Sequence, residues 1–349
     1  YPRYPQRSVL FSGLSDSSSP QNGNPSPLPI SAIGEAGLLQ IVQRYCPAQV
    51  VGDDAAVLAA PEGQLVVTTD VLVEGVHFSD LTTPAHAVGW RAVAANLSDL
   101  AAMGSRPQAL VVGLGLPGST PVAWVEELYQ GMQACCARWE CQLVGGDLCR
   151  SPHRFVAITA LGSVQPGRAI QRRRAQPGDW LVVTGPHGDA RAGLELLLHP
   201  EQGSSATAAE REQLIRAHQY PRPRLDLVPL LEGIPDPLRI AGMDTSDGLA
   251  DALVQVCQAS GVAARIEVER IPISEALRQA FPAQALEWAL YGGEDFELLL
   301  SAEVSVAKHL LEELPGAVWI GEVTGWDPQG TVWLKDGQAL SRQQAFQHF

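Results

Sequence analysis

Apolar and polar positions divide this chain into two successive series of mixed elements. "QLVVTTDVLV" (64–73) reads as a Val-rich strand, and "AQVVGDDAAVL" before it as another, with a Pro-Glu-Gly turn between them. "PAHAVGWRAVAANLSDLAAMG" has apolar residues at helical spacing, Pro at its start and Gly at its end. "PQALVVGLGLP" is a strand, "TPVAWVEELYQGMQACCARW" a helix, "CQLVGGD" and "RFVAITALGSV" two more strands. A second series opens at "RAQPGDWLVVTGPHGD" with a turn and a strand. Helices follow, interrupted at the polar "HPEQGSSATAAEREQ". Then come a strand into "MDTSDGLADAL", the strand "AARIEVE", a helical stretch to Tyr291, and "GGEDFELLLSA". The pattern predicts tandem mixed α/β domains divided near Pro166 to Pro177. The boundaries follow as 1–30, a flexible extension rich in Pro, Ser and Asn, then 31–165 and 166–349.

Charge narrows the function. The 349 residues carry a net charge of −14, from 38 acidic and 24 basic residues. That balance excludes a nucleic-acid partner, which needs a basic stripe. No apolar run approaches the ~20 residues of a membrane span, and the first residues lack the apolar stretch of a signal segment. The six cysteines lack paired C-x-x-C spacing and read as free thiols of a reducing, cytoplasmic compartment.

The chemistry lies in aspartates at the ends of apolar elements. Asp244, Asp247 and Asp251 fall within eight residues where a strand turns into a helix. Asp53 and Asp54 lie in "VGDDAAV", Asp70 ends "VVTTD", Asp99 sits in "NLSDLAAMG" and Asp147 in "VGGDL". Any one alone reads as a cap or turn carboxylate. Together, short and set among apolar residues, they call for cations between them. Hard ions such as Mg²⁺ take carboxylate oxygens, with hydroxyls and water completing the shell. Thr68, Thr69 and Ser246 adjoin them. Several Mg²⁺ ions held by aspartates imply a polyphosphate substrate.

The common nucleotide machinery is missing. No lysine precedes Lys308, and neither Lys308 nor Lys335 sits in a P-loop motif. If ATP is used, Mg²⁺ and Arg must neutralise its phosphates. "GLGLPG" at Gly113 mimics a dinucleotide fingerprint, but Pro117 removes an amide where pyrophosphate would need one.

Seven motifs, "VGDDAAVL", "TTDVLVEGVHF", "NLSDLAAMG", "GGDLCRSP", "RAQPGDWLVVTG", "DTSDGL" and "GGEDFEL", stand in the order found in thiamine-monophosphate kinases. The chain resembles that family from about Gly34 to Phe349. The resemblance implies a two-domain α/β synthetase-like kinase fold with mixed sheets, its N-terminal domain binding metal and ATP and forming a homodimer. It implies ATP-dependent phosphorylation of thiamine monophosphate to thiamine diphosphate. By the same resemblance, Asp54, Thr68, Thr69, Asp70, Asp99, Asp147, Asp244 and Asp247 match Mg²⁺ ligands, with Asp99, Asp147 and Asp244 at the chemistry. Tyr129, Gly146, Asp147, Arg172 and Ser246 match nucleotide contacts. His77, Glu294 and Phe346 match substrate contacts, Glu294 as counter-charge to the thiazolium and Phe346 as a stacking face.

Local context offers plainer readings for some of these. His77 fits a core or turn histidine, Glu294 and Asp295 the start of a strand, and Phe346 a docked C-terminus. Arg91, Arg106 and Arg150 read as surface or structural pairs. Two other functions compete: a sister ATP-dependent synthetase of the same superfamily, and a silent nucleotide- and Mg²⁺-binding regulator.

Overall fold

The computed structural model describes residues 27–60 and 62–341. Its strands are β1 Gln64–Val73, β2 Arg106–Leu116, β3 Gln142–Arg150, β4 Phe155–Val164, β5 Trp180–Val183, β6 Ile240–Asp244, β7 Val262–Ile266, β8 Leu298–Ala302, β9 Val318–Trp326 and β10 Val332–Leu334. Its helices are α1 Ile30–Val42, α2 Ala85–Ala102, α3 Val122–Arg138, α4 Asp189–Leu198, α5 Ala208–Gln219, α6 Leu227–Gly233, α7 Leu249–Ser260, α8 Glu275–Ala280, α9 Ala285–Tyr291 and α10 Val304–Glu313.

The strands form a four-stranded sheet, β1-β4-β2-β3, and a six-stranded sheet, β10-β7-β9-β5-β8-β6. Both are mixed: β2 and β3 run parallel, as do β7 and β10, and the remaining pairs are antiparallel. The polar stretch before α5 ends in a capping box, Thr207 and Glu210 each satisfying the other's backbone amide. One expected strand is absent. Residues 48–55 form turns and bends instead. Gly52 has φ +119°, and two adjacent aspartates suit a turn better than a ladder.

Helix α2 organises the molecule. Most of its 18 residues are buried, including Ala87, Val88, Val93, Leu97 and Leu100. A helix apolar all round belongs in an interior. Here it lies between the two sheets. One continuous core joins Leu97 and Leu100 to Leu110 and Ile158 of the first sheet and to Ile240, Leu298 and Leu300 of the second. Each such leucine contributes about 2 kcal/mol of burial. Polar side chains on α2 are therefore held between the two sheets, where the charged cavity forms.

The face of the four-stranded sheet away from α2 carries Leu65, Val67, Val71 and Val111, all exposed. The same face shows Thr159 of β4 and Asp147 of β3, because side chains alternate along each strand.

Candidate active site

Four of the aspartates meet at one cleft of about 480 Å³. Asp70 comes from β1, Asp99 from the last turn of α2, Asp244 from the end of β6 and Asp247 from the turn before α7. Strand alternation puts Thr68 and Asp70 on the side facing α2, and Thr68 Oγ1 donates to Asp99 Oδ2. The Asp70 amide donates to Asn96 Oδ1 at 3.2 Å. Asp244 accepts from Ser98 Oγ at 2.9 Å and from Ser246 Oγ at 3.1 Å. Thr69 points to the opposite face, where its hydroxyl donates to the Ile158 carbonyl at 2.9 Å.

These carboxylates burden one another. Burial pushes Asp70 up to about 6, and the charges of Asp99 and Asp247 add to the shift. Burial raises Asp244 to about 7, with repulsion from Asp99 next in size. Burial also raises Asp99, while the Thr68 hydrogen bond and the charge of Arg172 oppose it. Oxygen donors that resist ionisation until positive charge arrives suit a hard divalent cation. Among the described residues, no three His, Cys, Asp or Glu side chains close into a complete metal cage.

The other candidates gather elsewhere. Asp53, Asp54, Tyr129, Gly146 and Asp147 line a second cavity of about 630 Å³, on the outer side of the four-stranded sheet. The Tyr129 ring is 5.5 Å from Tyr45, and burial raises its hydroxyl. Gly146 has a packing reason of its own: a Cβ there would lie 1.9 Å from the Val112 carbonyl oxygen. The "GLGLPG" glycines are likewise part of the architecture. Gly113 and Gly115 sit inside β2, so no phosphate loop forms there.

Among the three consecutive arginines, Arg172 is the one whose charge reaches Asp99, and its Nη1 donates to Gln255 Oε1 at 2.7 Å. Arg174 instead holds the Gly167 carbonyl at 3.1 Å. Asp251 turns along α7 to Gln255 and does not line the cleft. Phe346 lies outside the described residues.

His77 lines the aspartate cleft. Its Nδ1 accepts the Val73 amide at 3.0 Å, which leaves the Nε2 to carry the proton of the neutral ring.

In "GGEDFEL" the three acids part company. Asp295 accepts the Gly188 and Ala190 amides at 2.7 and 2.9 Å, at the start of α4. Glu297 accepts from Thr184 Oγ1 at 2.5 Å and Arg224 Nη1 at 2.8 Å. Only Glu294 reaches the cleft, held with φ +70°. Burial, then the charge of Asp295, push its carboxyl upward. Against them, the guanidinium of Arg91, 2.5 Å away, holds the carboxylate ionised through a charge-assisted hydrogen bond.

Arg106 does form a surface pair, with Glu232. Arg91 is a structural pair, with Glu294, but a buried one: it is 2% exposed and lines the cleft. An arginine in the apolar run "GWRAVAA" was the available signal.

Comparison with known proteins gives the family. Residues 52–164 match the N-terminal domain, and 176–332 the C-terminal domain, of the AIR synthase related protein family. Two such domains around one acidic cleft define a member of that two-domain class. A thiamine-monophosphate kinase of Synechococcus elongatus is 49% identical over 328 residues, covering 92% of this chain and 98% of that protein. The crystal structure of thiamine-monophosphate kinase from Stenotrophomonas maltophilia K279a superimposes with a TM-score of 0.75 at 36% identity, covering 86% of this chain and 96% of that one. The solved structure of AaThiL complexed with AMPPCP and TMP superimposes at 0.73 with 32% identity, covering 93% and 100%. The chain belongs to the thiamine-monophosphate kinase family.

Proposed function

We infer that the chain transfers the γ-phosphoryl group of ATP to thiamine monophosphate, yielding thiamine diphosphate and ADP. The observation that carries this reading is the cleft in which Asp70, Asp99, Asp244 and Asp247 face Arg91 and Glu294. Its aspartate side suits a metal-bound polyphosphate, and its Glu294 side suits the organic part of the acceptor.

A phosphate monoester is nearly a dianion at neutral pH, so the attacking oxygen needs no general base. The obstacle is bringing two anions together in line, a matter of charge and position. Mg²⁺ fits the donors present, and when bound it supplies the positive charge that lets the phosphates approach. Asp70, Asp99, Asp244 and Asp247 would hold it on the cleft side, with the hydroxyl of Thr68. Asp54 and Asp147 would do so on the outer side, beside Thr69. Such ions keep waters and take phosphate oxygens, so an incomplete protein cage is expected.

The chain's own groups do the positioning. Ser98 and Ser246 orient Asp244, and Thr68 orients Asp99. His77, on the cleft wall, contacts the acceptor. Tyr129, Gly146 and Asp147 contact the nucleotide, and Arg172 balances developing phosphate charge beside Asp99. Transfer is direct, without a phosphoenzyme.

We also assign residues 31–165 as the metal- and ATP-binding unit and 166–349 as its α/β partner, in a cytoplasmic homodimer. The exposed Leu65, Val67 and Val71 of β1, on the same face of the sheet as the second cavity, support pairing of two copies there. Incubation with ATP, Mg²⁺ and thiamine monophosphate, followed by chromatography, tests the reaction. Thiamine diphosphate and ADP are expected. AMP, or ATP binding without turnover, would favour a sister synthetase or a silent regulator instead.

A further inference from the structure

Glu294 is held by parts of the molecule distant in sequence. Arg91 of α2 donates through Nη2 to Glu294 Oε1 at 2.5 Å. The other arm of the same guanidinium, Nη1, lies 2.8 Å from Nε2 and 3.2 Å from Nδ1 of His218, in the last turn of α5. It also donates to the His218 carbonyl at 3.3 Å. The backbone of Glu294 is fixed too, its amide donating to the Ser246 carbonyl at 2.8 Å. The carboxylate is thus clamped from α2, α5 and the turn after β6, in a left-handed conformation that a non-glycine residue rarely adopts unless its surroundings enforce it.

The clamp uses one oxygen. Oε1 is committed to Arg91, whereas Oε2 is buried without a hydrogen-bond partner. The nearest ring nitrogen, His218 Nδ1, is 3.7 Å from it. An orphaned buried acceptor at the wall of a cleft marks a place for a ligand donor. Charge refines the choice. Arg91 neutralises Glu294, so the pair attracts a diffuse cation weakly, and what Oε2 lacks is an N–H.

We propose that Arg91, backed by His218, is a positioning residue that aims Glu294 Oε2 at the exocyclic amino group of the aminopyrimidine ring, making that amino group a determinant of substrate choice. This rests on the reading of Glu294 as a thiamine contact. It replaces the thiazolium with the amino group as the partner.

The test compares thiamine monophosphate with its desamino analogue, which keeps the thiazolium charge and loses the donor. The parent enzyme is expected to show a KM about tenfold higher for the analogue, the effect of leaving a charged acceptor unpaired. Arg91→Lys keeps a positive charge but loses the fork that spans Glu294 and His218. It is expected to raise KM for thiamine monophosphate about fivefold to tenfold, to leave KM for ATP unchanged, and to erase most of the discrimination. In the double variant with Glu294→Gln the two effects are expected not to add. Equal KM values for the two substrates in the parent enzyme would overturn the proposal without any variant. So would full discrimination by folded Arg91→Lys, or additive effects in the double variant. If Glu294→Gln alone leaves KM for thiamine monophosphate unchanged, the underlying assignment of Glu294 fails instead.

Discussion

Ser98 Oγ donates a hydrogen bond to Asp244 Oδ2 at 2.9 Å, although 146 positions separate the two residues. The contact ties α2, which covers the four-stranded sheet, to an edge strand of the six-stranded sheet. It also places Asp244 beside Asp99, the next residue of the same helix, whose charge helps to raise the Asp244 carboxyl. The acidic cleft therefore exists only when the two units are packed together.

Asp99→Asn and Asp244→Asn remove a ligand charge while keeping shape. Each is expected to lower turnover by at least about a hundredfold, the scale of a lost electrostatic contact in a transition state. The Mg²⁺-free protein is expected to melt at the same temperature or higher, since a like charge has gone from a crowded set. Steady-state assays with paired thermal scans check this. A cold-labile, unfolded variant would mean the aspartate serves the fold.

Asp147→Asn probes the second cavity in the same way and is expected to lower turnover by a comparable factor. Gly146→Ala tests architecture instead, because the added Cβ would meet the Val112 carbonyl at 1.9 Å. It is expected to cost about 1–3 kcal/mol of stability through the forced separation of β2 and β3, read as a shift in urea midpoint. A stable Gly146→Ala protein with impaired ATP binding would assign the glycine to the nucleotide alone.

His187 gives a stability effect with a defined sign. It is fully enclosed, and burial, opposed by the hydrogen bond to the Gly185 carbonyl, lowers it to about 4. An unfolded histidine titrates near 6.5. Between these values the unfolded chain binds a proton that the folded chain refuses, so stability rises with pH. The contribution is complete above about pH 6.5 and is lost as pH falls toward 4, with a total on the order of 3 kcal/mol. Urea midpoints of the parent and His187→Gln proteins at a series of pH values check it. The two curves are expected to converge as pH falls; a constant gap would show that the ring is not held neutral by burial.

Val67→Asp places a charge on the edge strand β1, between the exposed Leu65 and Val71. If two copies pair there, the variant is expected to sediment as a monomer under conditions where the parent is a dimer, with the monomer's melting temperature little changed. A parent that is monomeric, or a variant that stays dimeric, would move the interface elsewhere.

Much of this was legible along the chain. The alternation in "VVTTDVLV", the helical spacing around "AVAANLSDLAAM" and the order of seven short motifs are local properties, readable because period and spacing need no knowledge of what lies opposite. They determined the α/β class, the family and the aspartates worth watching. Residues 48–58 misled because Gly52, at φ +119°, and the adjacent Asp53 and Asp54 favour turns over a ladder within an otherwise apolar run.

Tertiary structure alone decided how those residues are shared out. It put Asp70, Asp99, Asp244 and Asp247 at one cleft and Asp54 and Asp147 at another cavity. It also buried Arg91 against Glu294, 203 positions away. Within "GGEDFEL", three neighbouring acids received three different partners. The physical reason is that a side chain's charge state and hydrogen bonds depend on what surrounds it after packing. For α2, pressed between two sheets, those surroundings come from both halves of the chain at once.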